Sequence, residues 1–149
     1  MSLETRLNAD IAAAMKAKDT VRLATFRMLK TALTNKSIEK GRALEPAEEL
    51  QVVASLVKQR RDSIEQFTAG NRPDLAEKER AEITVLETLQ PPAASDAEIT
   101  AAVEQAVTDT GAAGPKDMGK VMKAVMAALA GKTADGKTVN EAVRARLAR

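Results

Sequence analysis

Apolar residues recur at helical spacing along nearly the whole chain. The first such pattern repeats every four residues and predicts a single buried stripe on one helix, formed by Leu3, Leu7, Ile11 and Met15. Strand-like alternation of apolar and polar residues is hard to find anywhere in the sequence. The pattern therefore predicts an all-α protein.

A second helix is predicted over about residues 20–39. Asp19 supplies an N-cap in front of it, and Gly41 follows its end. Its apolar positions are spaced by three and four: Leu23, Phe26, Leu29 and Leu33. Further apolar residues broaden this arc, namely Val21, Met28 and Ala32. We expect this helix to be the most buried one.

Two more helices are predicted before a doubled proline. The third begins at Pro46 and ends near Gly70, and the fourth begins around Pro73. Pro91 and Pro92 end the fourth helix, because proline lacks an N–H group and clashes with the preceding turn. We place a domain boundary here, between an N-terminal helical domain of residues 1–92 and a C-terminal domain of residues 93–149.

Three helices are predicted after the doubled proline. Ser95 and Glu98 have the spacing of a capping box and begin the fifth helix. The sixth is expected over about residues 116–130, and the seventh over about 139–148, where Thr138 and Glu141 suggest a second capping box. The predicted architecture is an N-terminal four-helix bundle followed by a small C-terminal three-helix domain.

The composition limits the chemistry available to this chain. Its 149 residues are 44% apolar, which is enough to build a core. It has no cysteine, histidine, tyrosine or tryptophan. Disulfides, a Cys-ligated metal site, a thiol nucleophile and the commonest general base are therefore excluded. We predict no catalytic residue, no metal site and no cofactor.

The same composition guides the expected location. The lack of cysteine fits a cytoplasmic protein, which is our prediction. No stretch approaches the length of a membrane span, and the N-terminus lacks a basic region followed by an apolar run. We expect neither a signal peptide nor a transmembrane segment. The broad apolar arc of the second helix favours burial in a bundle over binding to a membrane.

Charge is unevenly distributed along the sequence. Residues 15–42 carry eight Lys and Arg against two acids, residues 43–111 carry six against fourteen, and residues 112–149 carry eight against three. The net charge of +2 hides this basic, acidic, basic order. Such a pattern either pairs parts of the fold with one another or provides a basic surface for a partner.

The sixth predicted helix separates lysines from apolar residues at 100° per residue. Lys116, Lys120 and Lys123 are expected on one face. The opposite face holds Met118, Val121, Met122, Val125 and Leu129. The lysine face is either an ordinary solvated surface or a phosphate-binding one. The candidate nucleic-acid-binding residues are Lys116, Lys120, Lys123, Lys132, Lys137 and Arg144.

Glycines are the second unusual feature of the C-terminal part. Gly119 lies inside a predicted helix, where glycine costs about 1 kcal/mol relative to alanine. Either another helix backbone packs closely against it, which we favour, or a ligand approaches the exposed main chain. The segment from Gly131 to Lys137 suits a helix end followed by a tight turn. It lacks the earlier glycine and the strand of a phosphate-binding loop, so we reject a nucleotide site.

Two short runs in the C-terminal part are the most specific motif of the chain. The run Asp117-Met118-Gly119-Lys120-Val121-Met122 is followed by Ala134-Asp135-Gly136-Lys137. Similar matches occur at Arg27-Met28-Leu29-Lys30 and Lys58-Gln59-Arg60. In order and spacing these runs resemble the YqeY-like family over essentially the whole chain. The motif positions are Met118, Gly119, Gly131, Asp135 and Gly136.

This resemblance implies a fold and a function. The family is similar to the C-terminal tail of one of the proteins that make up the aspartyl/glutamyl-tRNA amidotransferase, and the resemblance implies an all-α protein of two parts. In the amidotransferase, the similar tail is associated with holding tRNA while other parts perform glutamine-dependent amide transfer. The resemblance thus implies a non-catalytic accessory protein whose partner is tRNA or a tRNA-handling complex.

Two other functions remain open. A protein-interaction adaptor would use the same surfaces without affinity for nucleic acid. A component of a carbon–nitrogen ligase complex, with glutamine as amide donor, would need other subunits for the chemistry. Binding of tRNA, falling steeply with salt, distinguishes our leading hypothesis from the adaptor.

Overall fold

The computed structural model describes residues Ser2–Arg149. The prediction of an all-α protein is confirmed: these residues form seven α-helices and one short 3₁₀ helix, with no strand among them. The chain divides into two compact units, Met1–Gln90 and Pro91–Arg149. No helix within the described part of the chain is both long and apolar enough to cross a membrane.

Four helices form the N-terminal unit: α1 (Leu3–Ala17), α2 (Thr20–Lys40), α3 (Pro46–Ala69) and α4 (Pro73–Glu87). The predicted limits of α2 are confirmed. Asp19 accepts a hydrogen bond from the backbone N–H of Arg22 at 3.1 Å, which caps the first turn. Gly41 ends the helix with a positive φ of 70°, a conformation that glycine adopts without steric cost.

The core of the N-terminal unit lies between these four helices. Helix α3 packs along α4, α1 packs along α2, and α2 also contacts α3 and α4. Leu7, Leu29, Val53 and Leu86 have no exposed surface. They belong to one apolar cluster together with Phe26, Leu33, Val57 and Val85. Burial of large side chains is worth about 1.5–3 kcal/mol each, so this cluster contributes strongly to the stability of the unit.

The stripe predicted on α1 is only partly buried. Leu7 is buried, whereas Met15 is 55% exposed and Ala14 takes the inward position instead. A spacing of four residues turns 400° around a helix of 100° per residue, so each step drifts by about 40°. After three steps from Leu3 the side chain has left the buried side.

The broad apolar arc predicted on α2 is also wrong. Its buried residues are Thr25, Phe26, Leu29 and Leu33, which occupy a narrow arc. Val21 and Met28 are 43% and 44% exposed. Thr25 can be buried among apolar residues because its hydroxyl donates a hydrogen bond to the carbonyl of Val21 at 2.8 Å. The neighbouring helices therefore cover one side of α2 and leave the other open.

A buried ion pair joins α3 to α4. Nε of Arg60 donates to the carboxylate of Glu82 at 2.9 Å, and the two side chains are 7% and 12% exposed. The guanidinium also donates to the carbonyl of Leu56 and to the sulfur of Met28. Each hydrogen bond compensates part of the cost of burying the charge.

The C-terminal unit contains α5 (Asp96–Thr110), the 3₁₀ helix (Pro115–Asp117), α6 (Met118–Ala128) and α7 (Gly136–Leu147). Helices α5, α6 and α7 all contact one another. Their shared core includes the completely buried residues Val121, Val125, Val139 and Val143, with Ile99, Val103, Leu129 and Leu147 beside them.

Capping confirms one predicted helix start and corrects another. At α5, Ser95 and Glu98 form the predicted capping box. Thr138 does not cap α7, which begins two residues earlier at Gly136. Asp135 is its N-cap and accepts hydrogen bonds from the backbone N–H of Lys137 and the hydroxyl of Thr138. An aspartate one turn earlier therefore satisfies the helix donors.

The segment after the doubled proline is bound to the loop between α6 and α7. The hydroxyl of Thr133 donates to the carbonyl of Pro91 at 2.7 Å, and its N–H donates to the carbonyl of Pro92 at 3.0 Å. The N–H of Ala94 in turn donates to the carbonyl of Thr133 at 2.8 Å. Residues 91–94 are thus part of the C-terminal unit rather than a free linker.

Candidate nucleic-acid interface

Helix α6 presents lysines and a glycine on the side away from its core. Lys120, Lys123 and Gly119 are exposed, while Val121 and Val125 are completely buried. At 100° per residue, Gly119, Lys120 and Lys123 fall within one arc of the helix. This outer face of α6 therefore carries two positive charges, and its backbone is uncovered at Gly119.

Lys116 does not lie on α6. The sequence predicted a helix from about residue 116, but α6 begins at Met118 and Lys116 belongs to the preceding 3₁₀ helix. Pro115 occupies the first position of that short helix, where the missing N–H costs nothing. Lys116 is exposed, so its charge faces solvent from a different element.

At least two of the six candidate cations already contact acids. Lys120 lies 3.6 Å from Asp117, and Lys132 forms an ion pair with Glu98 of α5. Lys116, Lys123 and Arg144 form no ion pair within residues 2–149. These three cations are free to contact an anionic ligand, whereas Lys120 and Lys132 would exchange one partner for another.

The acidic partners are firmly ionised. The hydrogen bond from Lys132 and those from the backbone and hydroxyl of Ser95 lower the pKa of Glu98. The pKa of Asp117 is lowered mainly by the backbone N–H of Ala113, which donates to its carboxylate at 2.9 Å, and further by Lys120. Both carboxylates therefore carry a full charge at neutral pH and partly neutralise the basic surface.

Helix α7 carries the other two candidates. Lys137 and Arg144 are exposed and are two turns apart on the outer side of the helix. Glu141 is also exposed and lies between them in the same arc. On the inner flank, Arg146 bonds to Glu104 of α5 at 2.7 Å. The outer face of α7 therefore alternates in sign, unlike that of α6.

The space beside Gly119 contradicts the helix packing that we favoured. Beyond its chain neighbours and the backbone of its own helix, a Cβ atom built on this glycine would meet no atom within 4 Å, and the residue is exposed. Close approach of another helix therefore does not explain the glycine. The remaining explanation from the sequence is a ligand that approaches the bare main chain at the start of α6.

The other motif residues shape the C-terminal unit. Met118 is half-buried against the apolar core. Gly131 has a φ of 91° in the loop after α6, a conformation that residues with a Cβ rarely adopt. Asp135 caps α7, and Gly136 is its first residue. These positions hold α6 and α7 in place rather than supplying reactive groups.

Sequence reasoning missed the acids that neutralise the candidates. The contact between Asp117 and Lys120 could have been found from its spacing of three residues on a helical segment. The pair between Glu98 and Lys132 joins residues far apart in sequence, and no local pattern predicts it. Within residues 2–149, no three acidic side chains are grouped so as to hold a metal ion.

Comparison with known proteins identifies the family. The family model described as Yqey-like protein matches residues 4–147. The chain belongs to the Yqey-like protein family. The resemblance inferred from the motifs is thereby confirmed, and the matched residues include both units of the fold.

Relatives of this chain are known from yeasts. The protein named Altered inheritance of mitochondria protein 41, mitochondrial, is 42% identical in Kluyveromyces lactis and 40% in Lachancea thermotolerans, over 106 residues in each case. Each match covers 69% of this chain and 57% of the relative. In Saccharomyces cerevisiae the protein of that name is 35% identical over 81 residues. The chain thus spans little more than half the length of the curated relatives that it matches.

These relatives correct the predicted location. We expected a cytoplasmic protein from the lack of cysteine, but the relatives at 40% and 42% identity are named as mitochondrial proteins. The cytoplasmic prediction is therefore wrong. The absence of cysteine excludes a disulfide framework, but it does not identify the compartment in which a protein works.

Proposed function

We propose that this chain is a non-catalytic accessory protein that binds tRNA through the cations of its C-terminal unit. The observation that carries the proposal is the set of exposed cations without an acidic partner, Lys116, Lys123 and Arg144, together with the open backbone at Gly119. The similarity of the family to the tRNA-associated tail of the amidotransferase supports the same partner.

The physical basis of binding is contact with phosphates. Exposed Lys and Arg side chains displace counterions from the nucleic-acid backbone, which supplies most of the sequence-independent affinity. At the start of α6, the missing side chain of Gly119 leaves room for a phosphate oxygen near the positive end of the helix dipole. Lys120 and Lys123 are placed to neutralise such a phosphate.

A second candidate function is a protein-interaction adaptor. The pairing of Lys120 with Asp117 and of Lys132 with Glu98 favours it, because paired surface cations are ordinary solvated groups. As a component of a carbon–nitrogen ligase complex, the chain would position tRNA while other subunits perform amide transfer. That role is compatible with our proposal, since it uses the same binding surface.

Replacing Lys116, Lys120 and Lys123 together by glutamine tests the proposal. Glutamine has nearly the same helix propensity as lysine, so stability should change little. We expect the affinity for total tRNA to fall roughly tenfold or more at about 50 mM salt, and the salt dependence to lose up to about three phosphate contacts. Titration of labelled tRNA at two salt concentrations measures both quantities.

A matched variant removes the same charge elsewhere. Lys16, Lys18 and Lys78 are exposed residues of the N-terminal unit, and their replacement by glutamine also lowers the net charge by three. We expect this variant to bind tRNA nearly as tightly as the parent. Equal loss in both triple variants would mean that net charge alone attracts tRNA. An unchanged salt slope in the first variant would exclude its lysines from the interface.

Replacing Gly119 with alanine should separate folding from binding. The added methyl group meets no atom within 4 Å outside the local backbone, and the backbone is helical, so the variant should be more stable by up to about 1 kcal/mol. The same methyl group would occupy the space proposed for a phosphate. We therefore expect a higher melting temperature combined with weaker tRNA binding. Thermal unfolding and the tRNA titration, performed on one preparation, test this. Greater stability with unchanged binding would mean that Gly119 takes no part in tRNA binding.

We also propose that the two units are independent domains, a four-helix bundle and a three-helix domain. Support comes from the hydrogen bonds of Thr133 to residues 91–94, which keep the doubled proline within the C-terminal unit. A fragment of residues 91–149 should therefore unfold cooperatively, and one of residues 95–149 should have a lower melting temperature. Thermal unfolding followed by circular dichroism compares them. Equal melting temperatures would show that the segment contributes nothing to the domain.

A further inference from the structure

A groove in the N-terminal unit has no assigned role. It lies where the beginning of α1, the C-terminal half of α2 and the segment before α3 meet, and its volume is about 270 Å³. Its lining includes Leu33, Thr34, Ile38 and Leu44, with two carboxylates, Glu4 and Glu49. The groove shares no residue with the cations proposed to bind tRNA.

Glu49 is the unusual member of this lining. Glu49 is only 7% exposed, yet its side chain forms no hydrogen bond or ion pair within residues 2–149. In that part of the chain, no fully enclosed side-chain oxygen lacks a hydrogen-bond partner. The Glu49 carboxylate oxygens therefore keep some accessible surface, and Glu49 is one of the residues that line the groove. These accessible oxygens have no donor within residues 2–149, which leaves them available to a cationic ligand.

The nearby cations are already used by other acids. Lys40 and Arg42 both contact the neighbouring Glu48, at 2.7 Å and 2.8 Å. The hydrogen bond from Arg42, the backbone N–H of Glu45 and the contact with Lys40 hold the pKa of Glu48 far below its usual range. Glu48 thus remains charged and retains both cations. Among the described residues 2–149, no Lys or Arg lines the groove.

The lining combines negative charge with aliphatic walls. Leu33 is buried and Leu44 is half-buried, whereas Ile38 is 72% exposed and offers apolar surface at the side of the groove. Glu4 provides a second carboxylate, and it is exposed. Two carboxylates beside apolar surface complement a ligand with a positive end and an aliphatic stem.

We propose that this groove binds a protonated primary amine on an aliphatic chain, with the ammonium group on Glu49. Pockets for drug-sized ligands have volumes of roughly 300–1,000 Å³, so a groove of about 270 Å³ suits a smaller guest. A free alkyl diamine and the lysine side chain of a partner protein have this chemistry in common. The stem contacts Leu33 and Leu44, while Glu4 attracts the amine from outside.

Titration of the full chain with 1,5-diaminopentane tests the proposal. We expect saturable chemical-shift changes, in a heteronuclear NMR spectrum, at residues that line the groove. Pentan-1-ol, which has the same stem length without a charge, should bind at least about tenfold more weakly. No saturable change up to about 10 mM diamine would exclude a free alkyl diamine as the guest.

Two substitutions locate the binding. Glu49→Gln keeps the size of the side chain and should weaken diamine binding at least about tenfold. Asp62→Asn removes an exposed carboxylate from the same helix and should leave it unchanged. Equal binding by the Glu49 variant and the parent would overturn the assignment of the ammonium site. If the Glu49 variant does not fold, Glu4→Gln replaces it, with a smaller loss expected because that carboxylate is exposed.

A second probe distinguishes the source of the amine. Nα-acetyl-lysine amide presents a lysine side chain as a protein would, and its Nε-acetylated form lacks the charge. Binding of the first but not the second would support a lysine of a partner protein as the guest. Binding of the diamine alone would support a small free amine. Failure of both amines would overturn the groove proposal and leave the tRNA proposal untouched, because the tRNA-binding residues lie in the other unit.

Discussion

Replacing Glu82 with alanine should lower the free energy of unfolding of the N-terminal unit by about 3–5 kcal/mol. The guanidinium of Arg60 is 7% exposed and would lose the carboxylate that lies 2.9 Å from its Nε. The remaining acceptors, the carbonyl of Leu56 and the sulfur of Met28, carry no full charge. A buried cation would then stand without a counterion. Urea unfolding at equilibrium, monitored by circular dichroism, measures the loss.

Two further variants show whether burial causes this effect. Glu77 forms an exposed contact with Arg80 on the same helix, and its replacement by alanine should cost less than about 1 kcal/mol. Replacing Arg60 by methionine and Glu82 by leucine together should recover much of the stability, since no charge then remains buried. A double variant as unstable as the single one would mean that the pair matters through its shape, not its charge.

Replacing Val125 with aspartate should unfold the C-terminal unit. Val125 has no exposed surface and lies in the core shared by α5, α6 and α7. The substitution removes a buried side chain worth about 1.5–3 kcal/mol and adds an unpaired charge that costs several more. A unit of this size has roughly 3–9 kcal/mol of stability. Loss of helical signal in circular dichroism, and loss of dispersed NMR signals from residues 91–149, would show the unfolding.

A matched variant introduces the same charge on the other side of α6. Ala127 is exposed, and its replacement by aspartate should cost no more than about 0.7 kcal/mol of helix propensity. The C-terminal unit should therefore stay folded. If both aspartate variants behaved alike, the division of α6 into a packed and a solvated face would be incorrect.

Much of the helical framework could be predicted from capping residues and helix-ending glycines in the sequence. Asp19 and Gly41 are visible as the cap and the end of α2, and Ser95 with Glu98 begins α5 where the capping box places it. These signals act through hydrogen bonds between neighbours in sequence. The start of α7 was predicted incorrectly because two acceptors compete there. Asp135 lies one turn before Thr138 and binds both its hydroxyl and a backbone N–H.

The candidate interface was predictable only in part. Exposure of Lys120 and Lys123 follows from the opposition of charged and apolar positions along α6, which the sequence displays. Whether each lysine can bind a ligand depends on its neighbours. Lys120 forms an ion pair with Asp117, while Lys123 has no acidic partner within residues 2–149. The open space at Gly119 is likewise visible only in the tertiary structure, since the same glycine would also suit a site where two helices pack closely.

The sequence by itself determined the all-α class, the family and most helix ends, because each depends on residues a few positions apart. Tertiary structure decided which apolar residues are buried, as with Ala14 in place of Met15 and the exposure of Val21. It also decided which charges are neutralised, through contacts such as Arg60 with Glu82 and Lys132 with Glu98. The physical reason is that burial and long-range ion pairs depend on which helices pack against one another, and the local spacing of residues does not specify this packing.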